Sequence, residues 1–436
     1  MASMTQAGVK AARGRAIAWN APVTKSAALK STALKPTALK PTALKVTALN
    51  TLAVKVAALK APALKPPALK PTALNAFALK SLASKASLAA ALLAVPLAVQ
   101  AQLSPDLGER LARDYARPAV SKMVDAAAAL DGALGGWCAK PDAAGATRVA
   151  DAYTQLALAW SGVEILRFGP LVQANRFERL AFWPDTRGVM PRQVQQLIAA
   201  QDAALLAPGA LAGRSVAVQG LPALEYVLYG DPALLKQTGA PTFAYACGYA
   251  RAVAANVTTI SRDVAQAWSP QGEFGRQFAK PQAGNDLYRD PQEIAAEAMK
   301  ALSTGLQFAR DVKILPVLGE SLDAARPKRA AFWRSGMSTR LLAANLDGLR
   351  AFYQAGAYAL PAGSEWMDVS VRGELQSAAQ TLQAVPAPLD AALQDEEGRR
   401  LLLLASLTIQ NAKAIVDQDL APALGVTIGF NALDGD

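Results

Sequence analysis

The chain has 436 residues, 52% of them hydrophobic, with 45 Lys and Arg against 34 Asp and Glu and no histidine. Without histidine there is no imidazole base or ligand, which excludes Ser-His-Asp triads, Cys-His pairs and H-E-x-x-H zinc sites. Two cysteines, Cys138 and Cys247, are too few for a thiolate zinc or iron–sulfur site.

The net charge of +11 is concentrated at one end: residues 1–101 hold 14 Lys and Arg and no acid, which leaves 31 basic against 34 acidic residues elsewhere. A basic-patch reading of the remainder therefore has no support, and no nucleic-acid partner is expected for the mature protein. Residues 1–85 form a low-complexity Lys/Ala/Pro segment in which a five-residue phrase repeats from Ser26 to about Lys80, as in TALKPTALKPTALKVTALN. Its period matches neither helix nor strand and Pro interrupts it, so a disordered low-complexity segment is expected. Two explanations stand for it: a start codon placed too early, or a basic arm that binds nucleic acid or an anionic surface.

Residues 86–101 read as a secretory signal peptide. Lys80 and Lys85 precede the apolar run Ser87–Val99, and Val99 and Ala101 supply the small residues before a cleavage point at Gln102. The apolar run is too short to span a bilayer. No Cys stands at the cleavage point, so the expected product is soluble and periplasmic, without a lipid anchor.

From Gln102 onward the expected class is all-α. Ala and Leu dominate, and Gly/Pro clusters punctuate the chain. Helices are predicted at about 105–133, 143–167, 191–206, 222–230, 241–268, 291–311, 338–356, 366–384 and 396–420, with a break at Gly135-Gly136. The chain exceeds the size at which single cores stop growing, ~250–300 residues. Two helical bundles are thus expected, 102–268 and 291–436, joined by an irregular link at 269–290.

Four phrases carry a resemblance: AWSGVEILRFGPL around Trp160, ERLAFWPDTRGVMPRQ around Trp183, VAVQGLPALEYVLYG from Val216 to Gly230, and the terminal GVTIGFNALDGD. AAFWRSGMS near Trp333 is a weaker echo. Together they resemble the imelysin family, in particular its predicted periplasmic lipoprotein branch. The resemblance implies two related helical bundles, an extracytoplasmic location and a metal or peptidase site built on a G-x-H-x-x-E phrase. Here that phrase aligns with Gly220-Leu221-Pro222-Ala223-Leu224-Glu225, so Pro222 stands where the family has His. Proline neither ligates a metal nor moves a proton. In an exported chain with this resemblance, Cys138 and Cys247 are expected to pair as a disulfide.

Read from the residues, Gly220 closes a strand-like VAV run and Pro222 suits a first helical turn. Glu225 is then either a carboxylate supporting the helix start or a ligand, with Tyr226 and Tyr229 on the neighbouring face. Trp160, Glu164 and Arg167 fall at i, i+4 and i+7, one face of one helix. They supply either an ordinary ion pair or a buried Arg that organises carboxylates such as Glu225. The expected pocket thus comprises Glu225, Arg167, Glu164, Trp160 and Tyr229. Asp434 and Asp436 are more simply a frayed end than an ion site, and Trp183, Trp333 and Trp366 more simply core or rim aromatics.

The functional expectation is an imelysin-like binding or accessory protein linked to uptake of iron or another metal. A hard ion such as iron or calcium would be held by oxygen ligands, with no zinc-His site, and a cell-envelope uptake partner is the other partner class. The alternative is a metallopeptidase, which needs a metal-activated water and a base. The missing His argues against peptidase activity and leaves no catalytic residue to name.

Overall fold

The computed structural model describes residues 103–230 and 232–429. The repeat, the export signal, Gln102, Phe430-Asn431 and the Asp434/Asp436 pair lie outside the described residues, as does Asp231. The described chain is helical, and no β-strand occurs among the described residues.

The first helices are α1 (Leu107–Leu111), continued by a wide π-helical segment (Ala112–Ala116) into α2 (Arg117–Ala139), and α3 (Ala143–Val163). Next come α4 (Arg176–Leu180), α5 (Val189–Ala200), α6 (Leu221–Tyr229), α7 (Phe243–Trp268) and α8 (Glu273–Ala279). The C-terminal half holds α9 (Pro291–Gln307), a π-helical segment (Phe308–Ile314), α10 (Leu315–Leu318), α11 (Ser338–Gly356), α12 (Glu365–Gln383), α13 (Leu389–Gln394) and α14 (Glu396–Ile415). Local chemistry explains the starts. Asp142, Asp290 and Asp395 each cap a helix by accepting from the N–H three residues on, satisfying a donor that the helix itself cannot. Pro291 follows Asp290 in the first turn, where its missing N–H costs nothing.

Packing runs helix to helix: α7 and α3 flank α2, α3 meets α11, and α12, α14 and α9 follow on the far side of α11. Both sets share one continuous hydrophobic core. At the α3–α11 junction the backbones approach closely. A methyl group on Gly348 would come within 2.7 Å of the Ile165 side chain and 2.9 Å of the Tyr115 hydroxyl. Asn345 Nδ2 donates to the Ser161 carbonyl at 2.9 Å across the same junction, and Tyr115 Oη donates to Gly162 O at 2.8 Å. The disulfide Cys138–Cys247 ties α2 to α7, with Cα atoms 5.8 Å apart.

Several local expectations are corrected. Helix α2 runs through Gly135-Gly136 to Ala139. Each glycine costs a helix about 1 kcal/mol against Ala, but buried Trp137, bonded from Nε1 to Asp142 O, and the Cys138 disulfide hold the final turn. The segment expected to be irregular contains α8, and Phe274, Phe278 and Tyr288 from it join Trp268 and Phe168 in a buried cluster of rings. Val216–Val218 is a 3₁₀ turn rather than strand-like. Helix α3 ends at Val163, so Arg167 is not on the helical face of Trp160 and Glu164.

Candidate functional site

Gly220 sets the position of α6. Its Cα lies so close to α4 that a methyl group there would sit 2.2 Å from the Leu180 carbonyl oxygen and 2.5 Å from that of Arg179. Pro222 is the second residue of α6, and Glu225 follows one turn later. Both line a cavity of about 630 Å³, together with Trp160 of α3, Glu164 just past its end, the stretch from Ala325 to Arg334, and Ser338, Thr339, Leu341 and Leu342 of α11.

Glu225 is 2% exposed. Its Oε1 accepts from both the backbone N–H and the Oγ of Ser335, each at 2.9 Å. Burial pushes its carboxyl above the usual 4.5, while the Ser335 bonds and the Arg334 charge pull the other way. The turn that Glu225 grips is strained, since Phe332 has φ of 56°, a left-handed conformation that costs a bulky residue of order 1–3 kcal/mol. Ser335 Oγ also lies 3.1 Å from Phe332 O, sharing its one proton between that oxygen and Glu225, and Met337 N–H donates to Phe332 O at 3.2 Å.

Glu164, at the end of α3, pairs with Lys313 Nζ at 2.5 Å and accepts from Asn345 Nδ2 at 3.3 Å. Lys313 is presented by the π-helical segment between α9 and α10. Such segments break the i→i+4 register and re-aim side chains.

Of the remaining expected residues, Trp160 stays on this cavity wall, whereas Arg167 and Tyr229 fall elsewhere. Arg167 does not line the cavity and does not reach Glu225. Its guanidinium lies 4.0 Å from the Phe177 ring centre and 4.6 Å from that of Phe308, a cation–π sandwich made possible because the chain leaves the helix before residue 167. Tyr229 sits one turn beyond Glu225 along α6 and lines a separate cavity of about 340 Å³ with Trp137 and Leu235. Its ring packs 5.5 Å from that of Tyr153. Trp160 is buried on the main cavity wall, 5.3 Å from Phe177.

Trp183 and Trp333 line the main cavity, whereas Trp366 is 48% exposed on α12. Lys313, Arg334 and Ser335 were not singled out from sequence. The signal available for two of them was the phrase AAFWRSGMS.

The carboxylates on the cavity wall are already engaged. Asp185 accepts from the Val189 and Met190 N–H groups at 2.8 Å, and Asp311 pairs with Arg310. Among the described residues no group of three or more Cys, Asp or Glu side chains converges as a metal site. None of the described helices is long and apolar enough to cross a membrane.

Solved structures similar to this chain include two relatives. One is an imelysin-like protein from Psychrobacter arcticum 273-4, with a TM-score of 0.61 at 19% identity over 76% of this chain and 100% of that one. The other is a putative iron-regulated protein A precursor from Parabacteroides distasonis ATCC 8503, with a TM-score of 0.58 at 15% identity over 72% of this chain and 95% of that one. At these identities they establish a shared fold. No curated protein matches the chain. The imelysin family model, which carries a peptidase label, matches residues 116–415, and on that extent the chain belongs to the imelysin family.

Proposed function

We propose that the protein is an exported, periplasmic binding or accessory protein that serves acquisition of iron or another metal and does not hydrolyse peptides. The observation that carries the reading is Glu225 on the wall of the large cavity, with Pro222 three residues before it on the same wall. Metal-assisted hydrolysis needs a metal-bound water and a base to use it. Pro222 supplies neither function, and Glu225 accepts from the backbone N–H and the hydroxyl of Ser335, which holds that turn. A cavity of this size suits a small molecule. The iron link rests on one structural relative, a putative iron-regulated protein A precursor.

The expected oxygen-ligand site for a bare hard ion does not fit these residues. Iron or calcium takes several carboxylate or carbonyl oxygens. Glu164, Asp185, Glu225 and Asp311 are each engaged by an N–H, a hydroxyl or a cation and do not converge.

The peptidase reading draws on the family label alone. The purified full chain, incubated with a peptide mixture with and without chelator, is expected to release no fragments. Chelator-sensitive cleavage that disappears in Glu225→Ala would establish the peptidase instead.

A further inference from the structure

Five cations line the large cavity: Lys313, Arg326, Lys328, Arg329 and Arg334. Two have partners, Lys313 on Glu164 and Arg326 on the carbonyl oxygens of Asp323 and Ala325. Among the described residues, Lys328, Arg329 and Arg334 make no ion pair. Aromatic faces hold two of them in place. Arg334 lies 4.5 Å from the Trp333 ring centre and 5.3 Å from that of Tyr226, and Lys328 lies 5.5 Å from Trp333. The result is a cationic rim in which Lys328 and Arg334 are held by stacking; of the wall acids, Glu164 is taken by Lys313, Asp185 by backbone N–H groups and Asp311 by Arg310, and Glu225, bound to Ser335, feels the Arg334 charge.

The same wall receives the start of α11. No side chain caps this helix, and Ser338 and Thr339 of its first turn line the cavity. The free N–H groups and the helix dipole favour an anion there. Ser338 Oγ is buried and has no hydrogen-bond partner among the described residues, so its donor is unused. The remaining wall is largely apolar and aromatic, including Trp160, Phe182, Trp183 and Phe332.

We propose that this cavity binds an organic anion, a carboxylate or comparable acid group carried on a flat aromatic or apolar body. The acid group meets Arg334 and the first turn of α11, with Lys328 and Arg329 at the rim, and the body lies among the ring walls. This rests on the binding-protein reading above and names its ligand class. It also changes the expected form of any metal cargo. The rim repels a bare cation and accepts a metal held inside an anionic chelate.

The test is calorimetric titration of the full chain with 2-naphthoate and with its neutral isostere 2-naphthamide. The carboxylate is expected to bind about tenfold more tightly or better, the scale of one charge-assisted hydrogen bond. That preference should vanish in Arg334→Gln and shrink in the exposed double variant Lys328→Gln/Arg329→Gln. The second variant keeps the test valid if the first unfolds, as circular dichroism would show. Equal binding of the two probes would overturn the anionic class while leaving the cavity a binding site. Failure of both probes to bind would overturn the proposal and remove the cavity from the binding-protein reading as well.

Discussion

Glu225 joins α6 to the strained Phe332–Met337 turn, and its titration should be visible in stability. Because burial raises its carboxyl above 4.5, the folded protein keeps the proton at a pH where the unfolded chain has lost it. The contribution is therefore fully present below about 4.5 and is lost as pH rises through the folded value. Glu225→Gln removes that titration, so the difference in unfolding free energy between variant and wild type should shift in the variant's favour as pH rises from 4.5 toward neutrality. Urea unfolding at a series of pH values checks this, and parallel pH profiles would contradict it. Gly220 makes a second residue-scale prediction. Any side chain there strikes the α4 carbonyls, so Gly220→Ala should cost about 2 kcal/mol or more, as forced overpacking does, and displace α6 from the cavity wall. A thermal midpoint within a degree of wild type would show that the contact relaxes freely. The imelysin phrase singles out both residues in the sequence. What it could not show was the cause, since the Leu180 carbonyl and the Ser335 hydroxyl are separated from them by tens of residues and meet them only in the folded chain.

At the scale of elements, the π-helical segment before α10 and the end of α3 are joined by Lys313 and Glu164, each side chain only 11% exposed. Removing one partner leaves a largely buried charge alone, so Lys313→Met should cost about 3 kcal/mol, whereas Lys313→Met with Glu164→Met should recover most of that loss. A double-mutant cycle by chemical denaturation measures the coupling; strictly additive losses would refute the pairing. The long helices were legible because apolar periodicity and Asp, Gly and Pro signals agree along the chain. Short helices such as α4 and α8 were not, because a single turn carries no periodicity. Arg167 shows how one boundary changes a site. A helix assumed to reach residue 167 points it along the Glu164 face, whereas termination at Val163 sends it between Phe177 and Phe308. The cationic rim was overlooked because Lys328, Arg329 and Arg334 sit in a loop, where composition alone does not reveal which way a side chain faces.

Across the whole molecule, two helix sets share one core around the α3–α11 junction, and the 109-residue separation closed by Cys138–Cys247 restrains the N-terminal set. In the chain-entropy account a loop of that length contributes about 4.7 kcal/mol. Cys138→Ser/Cys247→Ser should therefore unfold at markedly lower denaturant concentration, with α-helical circular dichroism retained in water. An unchanged midpoint would assign the bridge no energetic role. The family and the all-helical fold follow from this scaffold, while the chemistry depends on one wall of one cavity. The measurement that tests the binding account most directly is native mass spectrometry of the protein purified from its own cells without chelators. An added mass matching an organic anion or its metal chelate, absent from Arg334→Gln, is the predicted result. A bare metal ion bound at one equivalent and lost in Glu225→Ala would contradict it.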